Sequence, residues 1–324
     1  MTSNLSSVPA APEFLIDAWQ FRQQPAAAIT EDFFNQQQAW FHFQRDVEGL
    51  SNWLEQLGIP DPLIDAVLTE DTRPRFDRVE GGFLLILRGV NLTENEAPED
   101  MLSLRILSYQ GNIYSFRRRP IKAVGVIRER LQQGRGPETL HDLIVMLVEE
   151  LNNRLEELLD VAEVEIENLE NDELTNTSKS QAALTHLHRR LLRLNRFLRP
   201  QVAALERLST DANKWLEPEL QQWLHNERDT TLRLFESLDT MMSQIWMLRE
   251  HLQQAVAEKM NRNTYVLSMI AGIFLPISFL TGLFGINIGG MPGVEDDSAF
   301  WLFCGAIGGI TLIEFLLLRR LRFW

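Results

Sequence analysis

The sequence predicts an α/β domain in the cytosol, a long α-helical stalk and two C-terminal transmembrane helices. Three observations carry this. Residues 14–136 alternate between short strand and helix patterns. No proline interrupts the chain between Pro218 and Pro276, and no charged residue occurs between Asn263 and Val294. The last is the most restrictive, since about 20 apolar residues suffice to cross a bilayer and soluble cores rarely run so long without a charge.

In chain order, residues 1–13 are small, polar and proline-containing, and are expected to be disordered. Within 14–136, "FLIDAWQF", "AWFHFQ", "GFLLILRGV", "LSLRILSYQ" and "IYSFRRR" read as strands, rich in β-branched and aromatic residues. "LSNWLEQLG", "DPLIDAVLTE" and "IKAVGVIRERLQQ" read as short helices with Asp or Ser entry signals and Gly exits. "NLTENEAPED" is an acidic turn between two strands. The domain shows no Gly-rich phosphate loop, and the chain shows no nucleophile–base set or catalytic metal motif, so an enzyme is not expected.

Residues 137–217 turn helical. Acids run from Glu149 to Glu173, "NDELTNTS" breaks the run, and the next helix carries Arg189, Arg190, Arg193, Arg196, Arg199 and Arg207. The pattern suggests an antiparallel hairpin with facing charges; the bland reading is solvated faces. From 218 to 288, Phe235, Leu238, Met242, Ile245, Leu248 and Leu252 step by three and four as one helical stripe. One helix from about 220 to 285, on the order of 100 Å long, is expected to end in the first span, about 264–286. A loop at 289–298 carries Glu295, Asp296 and Asp297; a second span follows at 299–318 and a basic tail at 319–324.

Lys259 and Arg262 precede the first span, and Arg319, Arg320 and Arg322 follow the second. Positive flanks stay inside, which predicts cytoplasmic termini and an outward-facing acidic loop. The N-terminus shows no signal peptide pattern. The net charge of −14 argues against nucleic acid as a partner and suits cations. With Cys304 as the one cysteine there is no intrachain disulfide and no Cys-rich zinc site.

The first span has a distinctive face. Asn261, Thr264, Leu267, Ala271, Leu275, Ser278 and Gly282 recur at three- or four-residue steps, tracing back from Asn287. They are smaller and more polar than Ile270, Phe274, Ile277 and Phe284 opposite. Such a face either packs closely on neighbouring helices or lines a water-filled path, and periodicity alone leaves both open. Two spans cannot enclose a pore, so a path requires several copies around an axis. Asn287 would then form a ring of amide oxygens, suited to cations, with flanking glycines that let the chain turn sharply.

"YVLSMIAGIFLPISFLTGLFGIN", the short acidic loop, the second span and the basic, Trp-ending tail resemble the CorA-type metal-ion transporter family. The resemblance covers the whole plan of the chain. The family's signature at the end of the first span is Gly-Met-Asn. Here it is Gly285-Ile286-Asn287, which with "GGMPG" after it looks like the ZntB-like zinc-transporting branch. The resemblance implies a funnel-shaped homopentamer in the bacterial inner membrane, long helices lining its axis, and Asn287 at the outer entrance meeting a hydrated ion. It also implies Zn2+ as transported substrate, with Cd2+, Ni2+ or Co2+ as further cargo, no permanently bound cofactor, and protons as coupling ion for uptake. Efflux, a Mg2+/Co2+ channel of the same fold and a membrane-anchored signalling or scaffold protein are the alternatives.

The remaining candidates weigh less. Inner-sphere zinc capture favours His or Cys, and the small-residue face has neither. His186 and His188 are two apart and do not share a helix face; His225 and His251 read as surface or packing residues, and Cys304 as a small apolar residue. The acidic run 149–173 reads as solvation rather than cation storage. Glu314 interrupts the second span near its basic end, where it either snorkels to the arginines or takes part in proton transfer.

Overall fold

The computed structural model describes residues 12–70, 72–171, 177–286, 293, 296 and 298–320, and it divides into two compact units, 1–249 and 250–324. The first is built on a seven-stranded sheet: β1 (Leu15–Gln20), β2 (Ala27–Ala28), β3 (Ala39–Gln44), β4 (Arg75–Val79), β5 (Gly82–Gly89), β6 (Leu102–Tyr109) and β7 (Asn112–Arg117). The spatial order is β2-β1-β3-β7-β6-β5-β4. β3 pairs with β7 in parallel; the other neighbours are antiparallel.

Local chemistry sets these turns. Gln110 and Gly111 both have positive φ, 47° and 78°, as the two-residue turn that matches strand twist requires. At Gly82 a Cβ would fall 1.8 Å from the Ser108 carbonyl oxygen, so only glycine lets β5 start this close to β6.

The sheet is buried on both faces, which is why β5 reads as an almost unbroken apolar run. Phe83, Leu85 and Leu87 enter a core shared with α3 (Lys122–Gln132), α4 (Leu140–Asn171), α5 (Thr177–Ala212) and the first turns of α6 (Pro218–Phe284). Leu84 and Ile86 enter a second core with α1 (Leu50–Gln56) and α2 (Asp61–Leu68), where Trp53 packs edge-on to Phe43 at 5.1 Å. The unit is an αβα sandwich. The changes of pattern read at 136/137 and 217/218 are changes of secondary structure, and the first core runs across both.

The five strands and three short helices read from the sequence are present within a few residues of their expected limits. β2 and β4 escape that reading. β2 has two residues, and β4, "RFDRV", is an edge strand with three charges in five residues. On α4 the buried Leu143, Leu147, Leu151, Leu155 and Leu159 step by four along one face. The expected charge pairing between α4 and α5 is seen at Arg190 and Glu165, 2.6 Å apart. Arg190 and Arg193 also lie 3.8 Å from Glu99, in the turn before β6.

Two buried polar residues shape this unit. Arg105, fully buried on β6, donates to the carbonyls of Val67 and Glu70 at the C-terminal end of α2, where helix carbonyls lack intrahelical donors. Burial, with Arg45, Arg88 and Arg75 nearby, lowers its pKa to about 9. His42 on β3 is also fully buried, with Nδ1 2.8 Å from Ser115 Oγ. Burial, reinforced by Arg117, lowers its pKa to about 3, so it is neutral at physiological pH.

Candidate functional site

The second unit contains the end of α6 and α7 (Ala299–Arg320). Both helices are long and apolar enough to cross a membrane, and neither apolar window is buried within the chain. A core hairpin would bury those windows, so the exposure fits insertion in lipid. Phe284 packs against Phe303 with ring centroids 4.9 Å apart. Along α6 between 263 and 284 the half-buried residues are Tyr265, Met269, Ile273, Pro276, Ile277 and Leu280; along α7 they are Ala299, Phe303, Ile307, Ile310, Thr311 and Glu314. Each set steps by three or four, apart from two adjacent pairs, so these are the stripes by which the two helices pack. The one hydroxyl on the α7 stripe, Thr311 Oγ1, donates to the Ile307 carbonyl of its own helix at 2.9 Å.

The face picked from the sequence lies on the other side. Asn261, Thr264, Leu267, Ala271, Leu275, Ser278 and Gly282 are all exposed. At about 100° per residue, Gly282 is turned roughly 160° from Leu280 and 180° from Ile273. A Cβ added at Gly282 would meet nothing within 4 Å. Packing within the chain therefore does not account for the small residue at Gly282.

The end of α6 has its own logic. The Gly285 N–H donates to the Thr281 carbonyl at 2.9 Å, and a Cβ on Gly285 would lie 2.9 Å from that same oxygen, so the close turn requires glycine. Thr281 Oγ1 donates back to the carbonyls of Ile277 and Ser278 at 2.9 and 3.1 Å. Ile286 is exposed. Asn287 lies outside the described residues. The helix α6 itself ends at Phe284.

In the acidic loop, Glu295 and Asp297 also lie outside the described residues. Asp296 is exposed and accepts hydrogen bonds from the Ser298 N–H at 3.0 Å and the Ser298 hydroxyl at 2.8 Å. These hold its carboxyl below the usual pKa, the backbone bond contributing most. Asp296 thus braces the entry to α7, a role the charge pattern did not reveal although the Asp-x-Ser spacing carries the signal.

The weaker candidates stay apart. His186 is exposed and His188 half-buried, consistent with separate faces. Burial, then Arg249, lowers the pKa of His188. His251 and Cys304 are exposed. Among the described residues no three His, Cys, Asp or Glu side chains converge to hold a metal. Within the acidic run, Glu150 is buried against Arg130 at 2.8 Å and Arg154 at 3.7 Å, a structural ion pair.

Comparison with known proteins gives a consistent picture. The family model described as CorA-like Mg2+ transporter protein matches residues 35–320. A zinc transport protein ZntB of Vibrio parahaemolyticus is 36% identical over 314 residues, covering 96% of this chain and 97% of that protein. The divalent cation transporter CmaX of Pseudomonas aeruginosa is 37% identical over 299 residues, covering 90% and 89%. The solved structure of full-length CmaX superposes with a TM-score of 0.82 at 32% identity, covering 98% of this chain and all of that one. The complete CorA magnesium transporter of Methanocaldococcus jannaschii superposes with a TM-score of 0.80 over 96% of this chain and 98% of that one; at 19% identity it speaks to the fold alone.

Proposed function

The chain belongs to the CorA-like Mg2+ transporter family, and we propose that it carries Zn2+ across the bacterial inner membrane through the central pore of a homopentamer. The observation that carries this reading is the exposed small and polar face of α6, which points away from α7 and leads to Gly285-Ile286-Asn287. Facing an axis, several copies of that face make a path for a cation that keeps most of its water, and Asn287 supplies amide oxygens at its outer mouth. Glu295, Asp296 and Asp297, repeated around the mouth, raise the local cation concentration. Both termini then lie in the cytoplasm, by the positive flanks of the spans.

Zn2+ is substrate, not a resident cofactor, with Cd2+, Ni2+ and Co2+ as further cargo and protons as the coupling ion for uptake. Support for zinc over magnesium comes from the relatives named for zinc transport and from Ile286 at the position where the resemblance expects Met. The magnesium reading has the family model's own description in its favour. Purified protein in vesicles loaded with a zinc-sensitive dye separates them. Zinc entry that excess magnesium fails to suppress is expected; magnesium entry without zinc entry would favour the rival. Native mass spectrometry in detergent should show five copies, and monomers or dimers alone would remove the pore.

A further inference from the structure

A chain of net charge −14 gathers arginines at one end of its sheet. β3 and β7, the parallel pair, run side by side to Gln44 and Arg117, so Arg45 and Arg118 follow the carboxyl ends of neighbouring strands. Arg88, near the end of β5, is opposite Ser103, near the start of β6. Crevices outside the carboxyl ends of parallel strands are where α/β sheets commonly take ligands. Here a cavity of about 260 Å³ is lined by Arg45, Arg88, Arg118 and Arg119 with Ser103, and Glu70 is the one carboxylate among its described lining residues.

The fold holds two of these guanidinium groups in place through neutral oxygens. Arg45 Nη1 donates to the carbonyls of Leu68 and Thr69 at 3.2 and 2.7 Å. Arg88 donates to the carbonyls of Met101 and Thr72 at 2.9 and 2.6 Å and stacks on the Phe197 ring, 4.4 Å from its centroid. Carbonyl dipoles fix a guanidinium but do not cancel its charge. Burial, then the adjacent Arg118, lowers the pKa of Arg45, and Arg45 and Arg88 in turn bear on Arg105 behind them. The other two arginines stand at the rim. Arg118 lies 3.8 Å from Asp46 and Arg119 pairs with Glu96, with 59% and 51% of their side chains exposed. Ion pairs so exposed are weak, so both arginines can turn to a ligand of higher charge.

We propose that this cavity binds a diphosphate group, free as pyrophosphate or carried by a nucleotide. Arginine forks match phosphate oxygens two at a time, and four of them against one carboxylate suit a ligand with several negative charges. The volume is below the ~300–1,000 Å³ of pockets that enclose drug-sized ligands, so the cavity takes the diphosphate and leaves an attached nucleoside outside. The bound anion relieves the repulsion among the arginines and stabilises the N-terminal unit. The inference does not depend on which cation the membrane helices carry.

The test is calorimetric titration of the full chain in detergent with sodium pyrophosphate, and in parallel with ADP, in buffer free of divalent cations. Wild type is expected to bind one pyrophosphate per chain, and its Tm should rise as the site fills. R118Q and R119Q together change only exposed ends and should weaken binding about tenfold. E70Q removes the lining carboxylate and should tighten binding about threefold. R199Q with R207Q, exposed arginines of α5 that do not line the cavity, should bind as wild type does. Equal affinity for ADP and pyrophosphate supports the proposal with the free anion as ligand; tighter ADP supports it with a nucleotide. Absence of binding at millimolar pyrophosphate and ADP overturns it. So does affinity unchanged in the R118Q/R119Q variant, or an equal loss in the R199Q/R207Q variant, which would reveal general attraction to basic surface.

Discussion

Acid should destabilise the N-terminal unit through His42. Its ring is fully buried, and its pKa falls from 6.5 to about 3 because burial, helped by Arg117, penalises the cation. The folded pKa is below the unfolded one, so between those values the unfolded chain holds a proton that the folded chain does not. The stabilisation is complete above pH 6.5 and is lost progressively as pH falls toward 3. At pH 4 the ring is about 2.5 units below its unfolded pKa, and at ~1.4 kcal/mol per unit the loss is about 3 kcal/mol. That is a large share of the roughly 5–15 kcal/mol that holds a domain folded. His42→Gln removes the titration while leaving an amide that can reach Ser115; it should cost about 1 kcal/mol at pH 7 through the altered hydrogen bond. Hydrogen exchange of the β3 and β7 amides, measured on the full chain in detergent at pH 7 and pH 4, reads both effects once intrinsic rates are corrected. Wild type should lose about 3 kcal/mol more protection than the variant between the two pH values. Equal losses would refute the assignment of acid sensitivity to this ring.

Three further predictions concern the hairpin. Gly285→Ala places a Cβ 2.9 Å from the Thr281 carbonyl oxygen and must displace the turn; zinc entry should fall at least tenfold while the oligomer persists on size exclusion, and a wild-type rate would show the turn to be unimportant. Neutralising Glu295, Asp296 and Asp297 together should slow uptake at low zinc more than at saturating zinc, with high salt masking the difference. Asp296→Asn alone should in addition loosen the first turn of α7, through weaker bonds from Ser298, and faster exchange of the Ala299–Leu302 amides would report it.

What the sequence disclosed was whatever periodicity or charge encodes. β5 announced itself by an apolar run, α4 by its run of acids, α6 by its three- and four-residue stripe, and the two spans by the absence of charge. β4 did not, because an edge strand with Arg75, Asp77 and Arg78 looks like a loop. The residues of the small face could be chosen from three- and four-residue spacing, but their orientation away from α7 needed coordinates. So did the reason for Gly285, which is a contact with Thr281, and the bracing role of Asp296. Arg105 and His42 were invisible, since burial of a polar side chain depends on partners distant in sequence: Val67 for one, Ser115 for the other.

The central claim is that the small face of α6 and Asn287 form a cation path, and one measurement addresses it most directly. Zinc entry into vesicles is compared for wild type and Asn287→Ala, with oligomeric state checked by native mass spectrometry on the same preparations. The account predicts that the variant assembles as wild type does and loses most of its zinc entry, because the amide oxygens that take the place of water around the entering ion are gone. A variant that assembles normally and admits zinc at the wild-type rate would contradict it and reduce Gly285-Ile286-Asn287 to a tight helix ending.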